Sequence, residues 1–162
     1  MKALISLSVL LLILASPFIS AAQDDGWVTY EWKEYSTEFK IPSDFEVTTS
    51  TAEKFSATNS AILMSIYPRS EEYLTWDEME EALKTWTTDN GVTVSGDIVE
   101  LDEEKMNGYW GVLLEGTKSD YNVGTMLIVD PDFPEISLYI WVAYDSDQVD
   151  TVLEMLMSFT PM

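Results

Sequence analysis

Two neighbouring segments, Tyr121 to Val129 and Ile136 to Tyr144, are apolar on both of their alternating faces. In the second, Ile136, Leu138, Ile140, Val142 and Tyr144 fall on one side, and Ser137, Tyr139, Trp141 and Ala143 on the other. Successive side chains of a strand point to opposite faces of its sheet, and a sheet with one wet face keeps a polar set at every second position. Strands without that set need cover on both sides. Short connections link Tyr109 to Thr117, Tyr121 to Val129 and Ile136 to Tyr144, which favours an antiparallel meander. A helix on each face would supply the cover. The expected class is therefore α+β, an antiparallel meander between helices, an α/β/α sandwich.

Two segments have helical period. Trp76, Met79, Leu83 and Trp86 recur at helical spacing beside Ala82, while Glu78, Glu80, Glu81 and Lys84 face elsewhere. Thr75-Trp76-Asp77-Glu78 has the form of a capping box, and Asn90-Gly91 ends the helix. Near the C-terminus, Val149, Val152, Leu153 and Leu156 mark the inner face of a second helix, with Ser146 or Asp147 as its cap. Ahead of the first helix, strands are expected at Trp27 to Trp32, Tyr35 to Pro42, Phe45 to Val47, Lys54 to Ala57 and Ala61 to Tyr67. Pro68 should end the last of these, because proline lacks the ladder donor. A further strand is expected from Val92 to Leu101.

Residues 1–22 read as a cleavable export signal. Lys2 supplies the positive start, Ala3 to Ala15 the apolar stretch, and Ser20-Ala21-Ala22 the small residues before a cut at Gln23. The stretch is shorter than the roughly 20 residues of a spanning helix. The chain has 162 residues, and subtracting the 22 of the leader leaves 140, the size of one domain, 23–162. Secreted or periplasmic localisation follows, with no membrane insertion after cleavage.

The chain carries 29 acidic against 8 basic residues and a formal charge of −21, which becomes −22 when Lys2 leaves. Nucleic-acid binding needs clustered Lys and Arg and is not expected. There is no histidine and no cysteine. Disulfides, thiol or Ser-His-Asp catalysis and His- or Cys-ligated metals are thereby excluded. Without disulfides the domain depends on packing, for which six Trp, eight Tyr and six Phe provide large apolar areas.

The order of several short motifs resembles the PsbP-like superfamily of secreted α+β sandwich domains, which includes the extrinsic photosystem II protein and bacterial periplasmic relatives. The motifs are Phe39-Lys40-Ile41-Pro42-Ser43-Asp44-Phe45-Glu46-Val47, the helix Thr75 to Trp86, Met106-Asn107-Gly108-Tyr109, and the terminal Leu156-Met157-Ser158-Phe159. The resemblance implies a bacterial, non-enzymatic binding or accessory role toward a protein or cell-envelope component, with no cofactor. It supplies no catalytic residues. The chain departs from photosynthetic members in having few basic residues, and from lipoprotein relatives in lacking cysteine.

Carboxylates are the only abundant acid–base groups. A glycan hydrolase would need two of them across a cleft, and Glu115, the sole acid in the run Tyr109 to Gly116, is the candidate for a buried one. A calcium-dependent module would use Asp130-Pro131-Asp132 with Glu135, or Asp145-Ser146-Asp147 with Asp150. No catalytic, cofactor or metal residue is assigned. The candidate binding surface is aromatic: Tyr109, Trp110, Tyr139 and Trp141, on neighbouring strands of the meander.

Overall fold

In the computed structural model, which describes residues 26–162, the meander is formed by β8 (Trp110–Lys118), β9 (Tyr121–Val129) and β10 (Ile136–Tyr144). Rows of facing residues cross all three strands, as in Val112, Leu127 and Tyr139, or Leu114, Thr125 and Trp141. Only Ser119 and Asp120 separate β8 from β9, and Ser119 adopts the positive φ of 54° that such tight hairpins demand. β10 pairs on its other edge with β5 (Ile62–Ser70), followed outward by β4 (Phe55–Thr58) and β3 (Glu46–Ser50). The short β6 (Thr93–Val94) and β7 (Val99–Leu101) both pair with β8, completing an eight-stranded antiparallel sheet. A second, three-stranded sheet contains β1 (Trp27–Trp32), β2 (Thr37–Pro42) and β11 (Thr160–Pro161).

The large sheet is covered on both sides, as its two-sided apolar strands require. On one face lies α1 (Trp76–Asp89), whose Met79, Leu83 and Trp86 pack on Val112, Leu114, Leu127, Val129 and Tyr139. The other face meets α2 (Val149–Leu156) and the small sheet together, rather than a helix alone. Eight helical residues span only about 12 Å, while the large sheet is several strands wide at about 4.8 Å per strand. β1 and β2 fill the difference with aromatic bulk. Phe39 stacks on Phe159 at 4.7 Å and meets Phe55 edge-on at 5.0 Å, while Tyr30 lies 4.8 Å from Phe55.

Local chemistry explains the helix ends. The Thr75 N–H and hydroxyl both donate to the Glu78 carboxylate, at 3.0 and 2.7 Å. At the C-terminus Gly91 takes φ of 74°, and its N–H donates to the Thr88 carbonyl at 2.8 Å. α2 starts later than expected, with Gln148 in the capping position. Its buried face is accordingly Val152, Met155 and Leu156, leaving Val149 and Leu153 exposed.

Two strand expectations are corrected. β5 runs through Pro68 to Ser70. β4 ends at the pair Phe55 and Ile66, so beyond that point β5 is an edge strand on that side, where a missing donor is tolerated. Val92 to Leu101 is not one strand. Val94 pairs with Gly116 and Val99 with Leu113, so four residues on this strand stand against two on β8 and the ladder breaks between them.

Three of the quoted motifs meet at one place. The Lys40 N–H donates to Ser158 Oγ at 2.8 Å, and Asn107 Nδ2 donates to the carbonyls of Met157 and Phe159. The export-signal reading of 1–22 lies outside the described residues. Among the described residues no helix is long and apolar enough to cross a membrane.

Candidate binding surface

Helix α1 lies over β8 and β9, and its Trp86 reaches the rings of Tyr139 at 5.2 Å and Tyr67 at 6.0 Å. Beyond Trp86 the same sheet face continues as a groove of about 400 Å³. Its floor is the row Leu63, Ala143 and Val123 across β5, β10 and β9, and Trp141 forms the wall on the helix side. Leu63 is 40% exposed and Tyr121, at the rim, 57%. Exposed leucine and tyrosine around a concave apolar floor are the composition of a recognition surface.

Lys118, in the β8–β9 hairpin, overhangs this groove. Its Nζ donates to the Asn90 carbonyl at 2.7 Å, which pins it to the end of α1, and sits 5.1 Å from the Trp141 ring centre. The Trp141 Nε1–H is enclosed and has no acceptor among the described residues. Two further cations lie over aromatic rings of this face, Arg69 over Tyr139 at 4.7 Å and Lys54 over Tyr67 at 5.1 Å. Gly26–Met162 contains seven basic residues, so three of the seven sit on one face. Each ring attracts its cation through the negative charge of its π face.

The four aromatic residues singled out by sequence are dispersed. β9 stands between β8 and β10, so Trp110 is not on a strand adjacent to Tyr139 and Trp141. Tyr109 and Trp110 are consecutive and point to opposite faces. Tyr109 is buried in the core shared with the small sheet. Trp110 stands edge-on to Trp76 at 6.0 Å and donates its Nε1–H to Glu103 at 2.9 Å. Tyr139 is almost wholly buried beneath Trp86 and donates its hydroxyl to Glu72 at 3.1 Å. Burial, followed by the Glu72 charge, pushes its pKa well above the ordinary tyrosine value, so it stays neutral. Trp141 alone among the four lines the groove.

Sequence reasoning missed Leu63, Lys118 and Tyr121. The signal was present in part, since Ala61 to Tyr67 is apolar on both faces while the first helix has a single stripe to offer. One fourteen-residue helix, about 21 Å long, cannot cover an entire eight-stranded face.

Glu115 is exposed on β8. The Asp130 carboxylate accepts the Asp132 N–H at 2.9 Å, closing its own turn. Among the described residues no three acidic side chains are placed to hold a metal ion.

These features define an α+β sandwich with a large antiparallel sheet, one helix on one face and a small sheet plus a helix on the other. Solved structures with a similar fold include the Saccharomyces cerevisiae Ran-binding protein Mog1p, with 11% identity and a TM-score of 0.53 over 83% of this chain and 95% of that one. A point mutant of protein Mog1 is similar over the same shares at 12% identity and a TM-score of 0.53. At such identities the likeness is one of fold. No family model matches the chain, and no curated protein matches its sequence.

Proposed function

We propose that this protein is an exported, PsbP-like, non-enzymatic binding or accessory protein of the cell envelope that holds a protein partner on the open half of its large sheet. The observation that carries the reading is the groove beside Trp141, where Leu63 and Tyr121 stay exposed because α1 stops short of them. The leader at 1–22 supports export, and the order of the quoted motifs supports the PsbP-like assignment. The similar fold of a protein named for binding Ran supports a partner of protein nature. The strong negative charge favours a partner whose contacting surface is neutral or basic.

The test places a photo-crosslinking residue at Tyr121, and in a second variant at Glu31, which is exposed on the small sheet. The protein is exported from its own cells, and N-terminal sequencing of the product should begin at Gln23. One partner should be captured from position 121, not from 31, and should be lost when Leu63→Asp is added. Equal capture from both positions would sink the surface assignment, and retention of residues 1–22 in the cytoplasm would sink export.

A further inference from the structure

A separate cavity opens on the opposite side of the molecule, between the turn that follows β1 and the β9–β10 loop. Three aromatic residues, Tyr35, Tyr109 and Phe133, and three acids, Glu34, Asp130 and Glu135, line it over an aliphatic floor, and among the described residues no basic one does. Tyr35 is held in place: its hydroxyl donates to the Ala52 carbonyl and its ring meets Trp32 edge-on at 4.7 Å. Tyr109 is 97% buried, with its hydroxyl beside Thr37. Phe133 is the opposite case, 61% exposed at the rim. The loop that presents it is stiff, with Pro131 and Pro134 around it and the Phe133 N–H bonded to the Asp130 carbonyl at 3.0 Å. A large ring held out at the mouth of a cavity, left mostly uncovered by the described residues, fits a ligand that would cover it.

The charge of that ligand follows from the lining. Among the described residues the ion pairs are Arg69–Glu72, Lys84–Glu80 and Lys105–Asp102, so none of the three cavity acids has a basic partner. The field reaches the aromatic groups: burial first and then Asp130 raise the pKa of Tyr109, and burial, Glu34 and Glu53 raise that of Tyr35. We propose that this cavity binds an organic cation, an alkylammonium group seated against the rings of Phe133 and Tyr35 and neutralised by Glu34, Asp130 and Glu135. Ring faces attract cations most strongly where water is excluded, and the carboxylates supply the charge that an isolated aromatic cage lacks. The group could belong to a small amine or to a lysine side chain of another protein. The site is independent of the groove beside Trp141.

The test is a titration of the isotope-labelled full-length protein, followed by amide chemical shifts, with choline and with 3,3-dimethylbutan-1-ol, its uncharged carbon isostere. Choline should bind saturably and shift the amides of Ser36, Tyr109 and Phe133, with the isostere weaker by about tenfold, the size of a 1.4 kcal/mol difference. Raising salt from low to near-molar should weaken choline binding. Phe133→Ala and Glu135→Gln, both in the surface loop, should each weaken it at least about threefold while leaving the remaining spectrum in place. A capped Gly-Lys-Gly peptide that binds more tightly than choline identifies a basic side chain as the natural occupant, and the reverse order a small amine. Equal binding of choline and its isostere, or diffuse shifts that Phe133→Ala leaves unchanged, would overturn the proposal.

Discussion

Asn107 holds the C-terminal strand of the domain: its Nδ2 donates to the carbonyl oxygens of Met157 and Phe159, both at 3.1 Å. The residue sits at φ of 54°, a conformation asparagine tolerates and alanine does not. Gly108, next in the chain, has φ of 110°, and a Cβ there would meet Pro161 Cγ at 3.2 Å. Asn107→Ala should therefore lose both the bonds and the turn preference, at about 2–3 kcal/mol. Asn107→Gly keeps the turn and should lose about half as much. Urea unfolding midpoints check the order, and equal losses would show that only one of the two effects operates.

Gly116 marks the place where β6 crosses closest to β8. A Cβ there would stand 2.5 Å from the Thr93 carbonyl oxygen and 2.6 Å from Val92 Cγ1. Backbone cannot rotate away as a side chain can, so Gly116→Ala should destabilise by about 1–3 kcal/mol. At Gly96 the nearest atom to an added Cβ is 3.7 Å away. Gly96→Ala should leave the melting temperature nearly unchanged, which makes it the matched control.

The Thr87 and Thr125 hydroxyls share a buried hydrogen bond of 2.8 Å between α1 and the sheet. Replacing one of them with valine leaves the other hydroxyl short of its best partner, and Thr87→Val should cost about 1–2 kcal/mol. The double variant with Thr125→Val removes both polar groups and should recover most of that loss. A double-mutant cycle that proved additive would contradict the pairing.

The Glu78 carboxylate accepts from the Thr75 hydroxyl and N–H, and these bonds hold its pKa below the ordinary value. A carboxyl whose pKa is lower in the folded state adds stability above its unfolded pKa and loses it as pH falls through the folded one. Glu78→Ala should therefore weaken the protein at pH 7 and much less at pH 3. A difference that did not shrink on acidification would remove the capping role of the charge.

A formal charge of −21 with three ion pairs among the described residues leaves most surface acids facing like neighbours. Screening reduces that repulsion over a distance of about 10 Å at 0.1 M salt and less at higher salt. The melting temperature should rise from low to molar salt. A flat response would mean that the acids are spaced widely enough not to interact.

The two-sided apolar strands were readable because burial on both faces is written in residue chemistry, one position at a time. The capping box at Thr75 and the stop at Gly91 were readable for the same reason, since each needs partners only three or four residues away. The start of α2 was less so: Ser146, Asp147 and Gln148 compete as caps, and the packing of Met155 and Phe159 on the small sheet decides among them. The dispersal of Tyr109 and Trp110 to opposite faces needed only alternation. The isolation of Trp110 from Trp141 needed the strand order.

The sequence by itself determined an α+β domain with a doubly covered antiparallel sheet, a capped first helix, a dense negative charge, and no thiol or imidazole chemistry. Those properties are local or summed over the chain. The tertiary structure decided what covers each face, where cover ends, and which side chains meet there. The groove at Leu63 and Trp141 exists because α1 docks over β8 and β9, and Lys118 joins it because the β8–β9 hairpin reaches the end of α1. Such contacts depend on register and docking between segments far apart in the chain, which only packing of the whole domain specifies.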